Sequence, residues 1–177
     1  MRMPGDRMAA EQVARMIRVD HAGEYGAVRI YQGQRAVLGR GPVGPVLAHM
    51  QTQEEAHLAR FAALIAERRV RPTALLPLWH LAGFALGAAT AALGERAAMA
   101  CTVAVEEAIC AHYAAQEAAL DADEAGLRET IAGFRAEEAE HRDIGLDHGA
   151  RQAPGYRVLS AAIKAGCRAA IALSERI

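Results

Sequence analysis

Glu54-Glu55-Ala56-His57 and Glu138-Ala139-Glu140-His141 are one motif written twice, and their reading decides the fold. Each places a Glu three residues before a His. On a helix, residues i and i+3 are neighbours on one face, so each pair offers a carboxylate and an imidazole to a single point. With 15 Glu and 7 His in 177 residues, chance supplies about 0.6 matches to Glu-x-x-His. Two matches alone therefore decide little, and their setting decides more. Glu24 lies 30 residues before Glu54, and Glu106 lies 32 before Glu138. Each upstream Glu falls on what reads as the preceding helix. Four helices then supply Glu24, Glu54, His57, Glu106, Glu138 and His141. That is the ligand set of a di-iron or di-manganese carboxylate centre in a four-helix bundle.

Outward from the motifs, composition agrees with helices. The chain is 53% hydrophobic but only 5% aromatic, and it is rich in Ala, the best helix former. Val and Ile recur at helical spacing, with no convincing alternation, so the expectation is an all-α chain forming a single domain over 1–177. Its two halves, about 8–70 and 95–150, repeat one another. A net charge of −1 gives no basis for nucleic-acid binding. Cys101, Cys110 and Cys167 are odd in number and form no Cys-x-x-Cys, so they read as small apolar residues rather than a disulfide framework. The first twenty residues hold four Arg, several acids and no apolar core, unlike a secretory leader or an intact mitochondrial transit peptide.

Residues 1–7 read as a frayed end. A first helix is expected from Met8 to about Val37, with Val13, Met16, Ile17, Asp20, Glu24, Val28 and Tyr31 near one face. Gly23 and Gly26 flank Glu24 and read equally as close helix packing or as room for metal or substrate, two compatible readings. A second helix runs from about Val43 to Arg68, with Pro45 tolerated in its first turn. A further helix, about Arg96 to Leu120, turns from apolar to Glu106-Glu107-Ala108-Ile109-Cys110-Ala111-His112-Tyr113. Glu106 shares a face with Val103, Ile109 and Tyr113, and Glu107 is second choice. Tyr113 reads equally as a packed core residue or as a partner of a metal ligand. Asp121-Ala122-Asp123-Glu124 forms an acidic cap before a helix over about Glu124 to Ala150, where Glu137 and Glu140 read as the solvated side. Asp143, Asp147 and His148 are candidates to orient the histidines, with solvation the stronger reading. An amphipathic helix over about Arg157 to Ser174 ends the chain.

Ala74–Gly94 contains 21 residues and no Asp, Glu, Lys or Arg. That length would span a bilayer. Pro77, His80, the internal glycines and the need for both halves of the centre to meet in one bundle argue against a span. A segment lying on a membrane, the wall of an apolar substrate site, and a buried helix remain as readings. Met50, Trp79, Leu75, Leu76, Leu78 and Leu81 read as core before membrane contacts, with both readings open.

Longer motifs then narrow the field. Ile17-Arg18-Val19-Asp20-His21-Ala22-Gly23-Glu24-Tyr25-Gly26-Ala27 resembles the opening of the 5-demethoxyubiquinone hydroxylase family of ubiquinone biosynthesis. So do Val70-Arg71-Pro72-Thr73, Pro77-Leu78-Trp79 and Gly83-Phe84-Ala85-Leu86-Gly87-Ala88. Ala98-Met99-Ala100-Cys101-Thr102-Val103-Ala104-Val105-Glu106-Glu107, Asp143-Ile144-Gly145-Leu146-Asp147-His148 and Ala165-Gly166-Cys167-Arg168 continue it over almost the whole chain. The resemblance implies a ferritin-like four-helix bundle with additional apolar and C-terminal helices. It implies a monooxygenase holding two iron ions and hydroxylating the ring of a polyprenyl demethoxyquinone with O2. It places the metal ligands at Glu24, Glu54, His57, Glu106, Glu138 and His141, and ties His112 and Tyr113 to electron transfer from NADH, direct or through a reductase. Implied partners are the polyprenyl quinone, a membrane surface and other ubiquinone-biosynthesis proteins; a homo-oligomer is left open. The implied location is peripheral, on the cytoplasmic face of a bacterial inner membrane, or on the matrix face of the mitochondrial inner membrane for a processed eukaryotic chain. In such a centre the expected arrangement is Glu24 and His57 on one iron, Glu106 and His141 on the other, with Glu54 and Glu138 bridging. Four carboxylates would then offset four positive charges. The competing classes are a ferritin-like ferroxidase or iron-storage protein, and a non-catalytic quinone-binding scaffold. The first leaves the uncharged segment without a use, and the second leaves the ligand set without one.

Overall fold

The computed structural model describes residues 10–177 and is all-helical among them, a ferritin-like helical bundle. The helices are α1 (Ala10–Leu38), α2 (Gly44–Glu67), α3 (Leu76–Ala92), α4 (Glu95–Ala119), α5 (Ala125–Asp147) and α6 (Tyr156–Ser174). The expected frayed end at 1–7 and the helix start at Met8 lie outside the described residues. Proline stands in the first turn of both α2 and α3, where its missing N–H costs no helical hydrogen bond.

Two boundaries differ from expectation. The acidic stretch before α5 is a single 3-10 turn over Ala122–Glu124. At its other end α5 stops three residues early, because Gly149 takes a left-handed backbone (φ 80°) that an L side chain resists. A second 3-10 turn over Ala150–Gln152 follows.

Antiparallel neighbours α1·α2 and α4·α5 build the bundle, while α3 lies along α1 and α6 along α4. The α1–α3 seam is unusually close. A Cβ at Gly33 would strike the Phe84 carbonyl, and one at Gly87 would strike the Ile30 carbonyl. Gly33, Gly83 and Gly87 therefore provide the close packing, whereas Cβ atoms at Gly23 and Gly26 would meet nothing within 4 Å.

Two apolar clusters fill the bundle. Val13, Ile17, Phe61, Leu64, Tyr113, Leu127 and Ile131 occupy one end. Tyr31, Leu47, Met50, Met99 and Val103 occupy the other. On α1 and α2, the proposed ligand positions fall between the residues contributed to each end. The inward face expected of the first helix is buried, with Met16 half-buried at its edge.

Leu78 and Leu81 depart from their reading as core. They are 50% and 70% exposed on the outer face of α3, while Met50 is buried and Trp79 half-buried. The reason is the glycine seam: α3 turns its small residues inward and so must turn its leucines out. No helix among the described residues is long and apolar enough to cross a membrane.

Candidate metal centre

Six side chains from four helices meet in the middle of the bundle. Glu24 comes from α1, Glu54 and His57 from α2, Glu106 from α4, and Glu138 and His141 from α5; each is at most 1% exposed. They fall into two groups whose ligand atoms lie within 4.8 Å of one another: Glu24, Glu54, His57, Glu138 and Glu54, Glu106, Glu138, His141. Glu54 and Glu138 belong to both. Glu107, the alternative to Glu106, points away and pairs with Lys164.

Each histidine reaches across the bundle, and His141 Nδ1 also lies 3.2 Å from Glu138 Oε2 on its own helix. His57 Nδ1 lies 3.0 Å from Glu138 Oε1, and His141 Nδ1 lies 3.1 Å from Glu54 Oε1. Their outer nitrogens are also engaged. His57 Nε2 donates to Glu137 Oε2 at 2.7 Å, and His141 Nε2 donates to Gln53 Oε1 at 3.0 Å. With Nε2 turned outward, Nδ1 is the nitrogen that faces the carboxylates. Phe134 stacks on the His57 ring at 4.0 Å, and Tyr31 meets the His141 ring edge-on at 6.1 Å.

Two tyrosines steady the end carboxylates. Tyr113 donates its hydroxyl proton to Glu24, and Tyr31 donates to Glu106 at 2.9 Å. Beside Tyr113, the partly buried His112 lies 3.1 Å from the buried Asp20, which also accepts a 2.8 Å hydrogen bond from Gln116.

The electrostatics are those of a site short of positive charge. Burial, reinforced by repulsion from Glu138, holds the Glu54 and Glu106 carboxyls well above their usual range. Burial also opposes ionisation of Glu138, but hydrogen bonds from His141 and His57 overcome it and hold that carboxyl down at about 2. Burial opposes the charged form of His57, yet hydrogen bonds to Glu138 and Glu24 raise it to about 10. Protons thus do part of the work a cation would do. One oxygen of each carboxylate is left without a well-directed hydrogen bond: Glu54 Oε2, Glu106 Oε2, and Glu24 Oε2 and Glu138 Oε2, which face His57 Nδ1 at 3.6 Å and His141 Nδ1 at 3.2 Å. A buried carboxylate oxygen left unpaired is costly. One such oxygen on each of four converging carboxylates, with two imidazole nitrogens, is a donor set that fits two divalent ions of the iron or manganese type.

Sequence reasoning missed Glu137 and Gln53. Glu137 is not simply solvated, since it holds His57. A signal was present: each stands immediately before the Glu of a Glu-x-x-His, in Gln53-Glu54 and Glu137-Glu138. The residues considered for that role fall elsewhere, with Asp143 paired to Arg142 and His148 to Glu95.

An apolar cavity of about 500 Å³ lies between α1, α3, α4 and α6. Gly23, Gly26, Trp79, Leu86, Ile109 and Ile163 line it. Its wall includes Gly23 and Val105, the chain neighbours of Glu24 and Glu106. Gly23 and Gly26 thus border open space, while the Gly26 carbonyl also packs against Gly83, so both readings have a place here.

Comparison with known proteins gives a consistent answer. Residues 11–174 match the model of a family described as ubiquinone biosynthesis protein COQ7. A Rhodospirillum rubrum protein named 3-demethoxyubiquinol 3-hydroxylase is 63% identical over 99% of this chain and 84% of its own length. A human protein named NADPH-dependent 3-demethoxyubiquinone 3-hydroxylase, mitochondrial, is 57% identical over 97% of this chain and 81% of its own. A Saccharomyces cerevisiae protein named 5-demethoxyubiquinone hydroxylase, mitochondrial, is 43% identical over 92% and 77%.

Proposed function

The chain belongs to the COQ7 family of ubiquinone biosynthesis proteins, and on that premise we propose that it is a di-iron monooxygenase that hydroxylates the ring of a polyprenyl demethoxyquinone. The observation that carries the reading is the pairing of a six-residue buried ligand set with an apolar cavity whose wall adjoins it. In the balanced reaction, one oxygen atom of O2 enters a ring C–H bond to give C–OH. The other leaves as water, taking up two electrons and one proton from a reduced nicotinamide nucleotide and a second proton from solvent. NADH is the proposed donor; the human relative's name specifies NADPH.

Glu24 and His57 would hold one iron, Glu106 and His141 the other, with Glu54 and Glu138 serving both. An iron pair, when bound, supplies the reduction of dioxygen. The protein's own part is geometric and electrostatic. Tyr113 and Tyr31 fix the end carboxylates, Glu137 and Gln53 fix the imidazoles, and the apolar clusters above and below keep water out. His112 and Tyr113 are the proposed path for electrons to the centre. Their support is position: Tyr113 touches Glu24, and the neighbouring His112 is 19% exposed.

The cavity would receive the substrate ring and the first part of its isoprenoid tail. Each buried CH2-like unit of the tail contributes ~0.8 kcal/mol, so the substrate stays in lipid and the enzyme must come to it. Leu78 and Leu81, exposed on α3 beside the cavity helix face, support a peripheral seat on a membrane, proposed as the cytoplasmic face of a bacterial inner membrane. Other enzymes of ubiquinone biosynthesis are the proposed neighbours there.

The test is incubation with demethoxyquinone, NADH and oxygen, with mass detection of one added oxygen atom. In Glu138→Ala and His141→Ala, iron per chain should fall and demethoxyquinone should persist. Full iron loading with normal product in both variants would sink the proposal. So would purified protein that oxidises and stores many iron atoms per chain without quinone.

A further inference from the structure

The two imidazoles of the centre are held by unlike partners. His57 Nε2 donates to a carboxylate, Glu137, at 2.7 Å. His141 Nε2 donates to an amide oxygen, Gln53, at 3.0 Å. The two partners occupy equivalent places, each one residue before the Glu of the opposite helix's motif. The carboxylates and the tyrosines, by contrast, are paired like for like: Glu24 with Glu106, Tyr113 with Tyr31, Glu54 with Glu138.

We propose that Glu137 and Gln53 are positioning residues that make the two metal positions chemically unequal, the His57 position being the tighter one. A carboxylate that accepts the outer N–H of an imidazole leaves more electron density on the inner nitrogen, so that nitrogen is the better donor. An amide oxygen carries no net charge and does this less, since charge-assisted hydrogen bonds are roughly twice as strong as neutral ones. Such outer partners fix the tautomer and ring orientation and change metal affinity by about 10–100-fold. Geometry reinforces the chemistry at His57. Phe134 stacks on that ring with an interplanar angle of 29°, whereas the His141 ring meets Tyr31 edge-on at 73°. The His57 ring is therefore clamped in plane as well as charged from behind. Glu137 is 44% exposed, so solvent screens part of its effect and places the expected difference at the lower end of that range.

This inference rests on the metal-centre reading above and is tested on metal-free full-length protein titrated anaerobically with 57Fe2+. The step affinities and the Mössbauer spectrum of the loaded protein are both recorded. Wild type should show two distinguishable irons, the first bound roughly tenfold more tightly than the second. E137Q keeps the shape and an oxygen acceptor but removes the charge. It should weaken the first step roughly tenfold and move one Mössbauer doublet toward the other. Q53E should strengthen the second step and move only the other doublet. The double variant E137Q/Q53E should fill in the reverse order. Glu129→Gln, on the exposed face of α5, is the control and should change nothing. A purely spacing role for Glu137 predicts that E137Q matches wild type in both readouts; that result overturns the proposal. Two irons bound identically in wild type and in all variants overturn it as well while leaving the metal centre intact. Protein that binds no iron at all removes both.

Discussion

On the His57 side, Tyr113 holds Glu24 and Glu137 holds the imidazole; on the His141 side, Tyr31 holds Glu106 and Gln53 holds the imidazole. The two sides differ most in what lies behind the tyrosines. Tyr113 stands beside His112, Asp20 and Gln116, a polar group that reaches the surface at a shallow pocket lined by His112 and Gln116. Behind Tyr31 its hydroxyl meets the Met50 sulfur at 3.7 Å, inside an apolar cluster. A repeated helix pair thus gives two equivalent sets of side chains, one with a polar group behind its tyrosine and the other with an apolar cluster. The lesson is that the symmetry of the ligands conceals an asymmetry of surroundings.

The largest test of this comparison separates shared from unshared ligands. Glu54→Ala or Glu138→Ala removes a carboxylate from both groups, and Glu24→Ala removes one from a single group. The shared variants should lose both irons, with affinity down by more than ~100-fold, since even an outer partner is worth 10–100-fold. Glu24→Ala should retain about half the iron, at the His141 side. Metal analysis per chain decides between these patterns, and equal losses in all three variants would break the division into two groups.

The next test compares the tyrosines. Tyr113→Phe and Tyr31→Phe each remove one hydrogen bond to a buried carboxylate, worth about 1.5–3 kcal/mol. Thermal unfolding should therefore fall similarly in both. Turnover with NADH should fall much further in Tyr113→Phe, because only that tyrosine adjoins the polar route through His112. Equal turnover in the two variants would remove the functional side of the contrast.

The smallest effect concerns protons. In metal-free protein, the Glu54 and Glu106 carboxyls are raised from 4.5 and His57 is raised from 6.5 to about 10. Each group then binds more protons folded than unfolded once pH exceeds its unfolded value, so stability falls as pH rises through that window. Glu138, lowered to about 2, acts oppositely and only below 4.5. The melting temperature of metal-free protein should therefore decline as pH rises from 6.5 toward about 10, the span between the unfolded and folded values of His57. Bound metal requires deprotonated ligands and should flatten or reverse that slope. A metal-free protein that becomes more stable over the same range would contradict the proton-sharing picture.

The convergence of the six side chains was legible in the chain because it depends on spacing. Glu-x-x-His is set by helix geometry, and the upstream Glu24 and Glu106 by helix length, both local quantities. Glu137 and Gln53 were not legible because their role is set by which helix faces which. An exposed Glu at the edge of a motif looks the same whether water or a histidine from another helix meets it. Leu78 and Leu81 illustrate the converse. An apolar residue in an uncharged run reads as core, but which side of α3 faces inward depends on the glycine contacts with α1. Helix ends failed where a single backbone angle decided them, as at Gly149. The open cavity behind Gly23 and Gly26 depends on where α6 lies, which no local pattern encodes.

The glycine seam has a mechanical consequence. With carbonyls of α1 and α3 packed where no Cβ would fit, the two helices have no compressible layer between them. They behave as one plank, with Leu78 and Leu81 on one edge and Glu24 and Tyr31 on the other. A push on the leucine edge is therefore delivered to the carboxylates rather than absorbed, so whatever surface supports α3 also sets the stance of the metal frame.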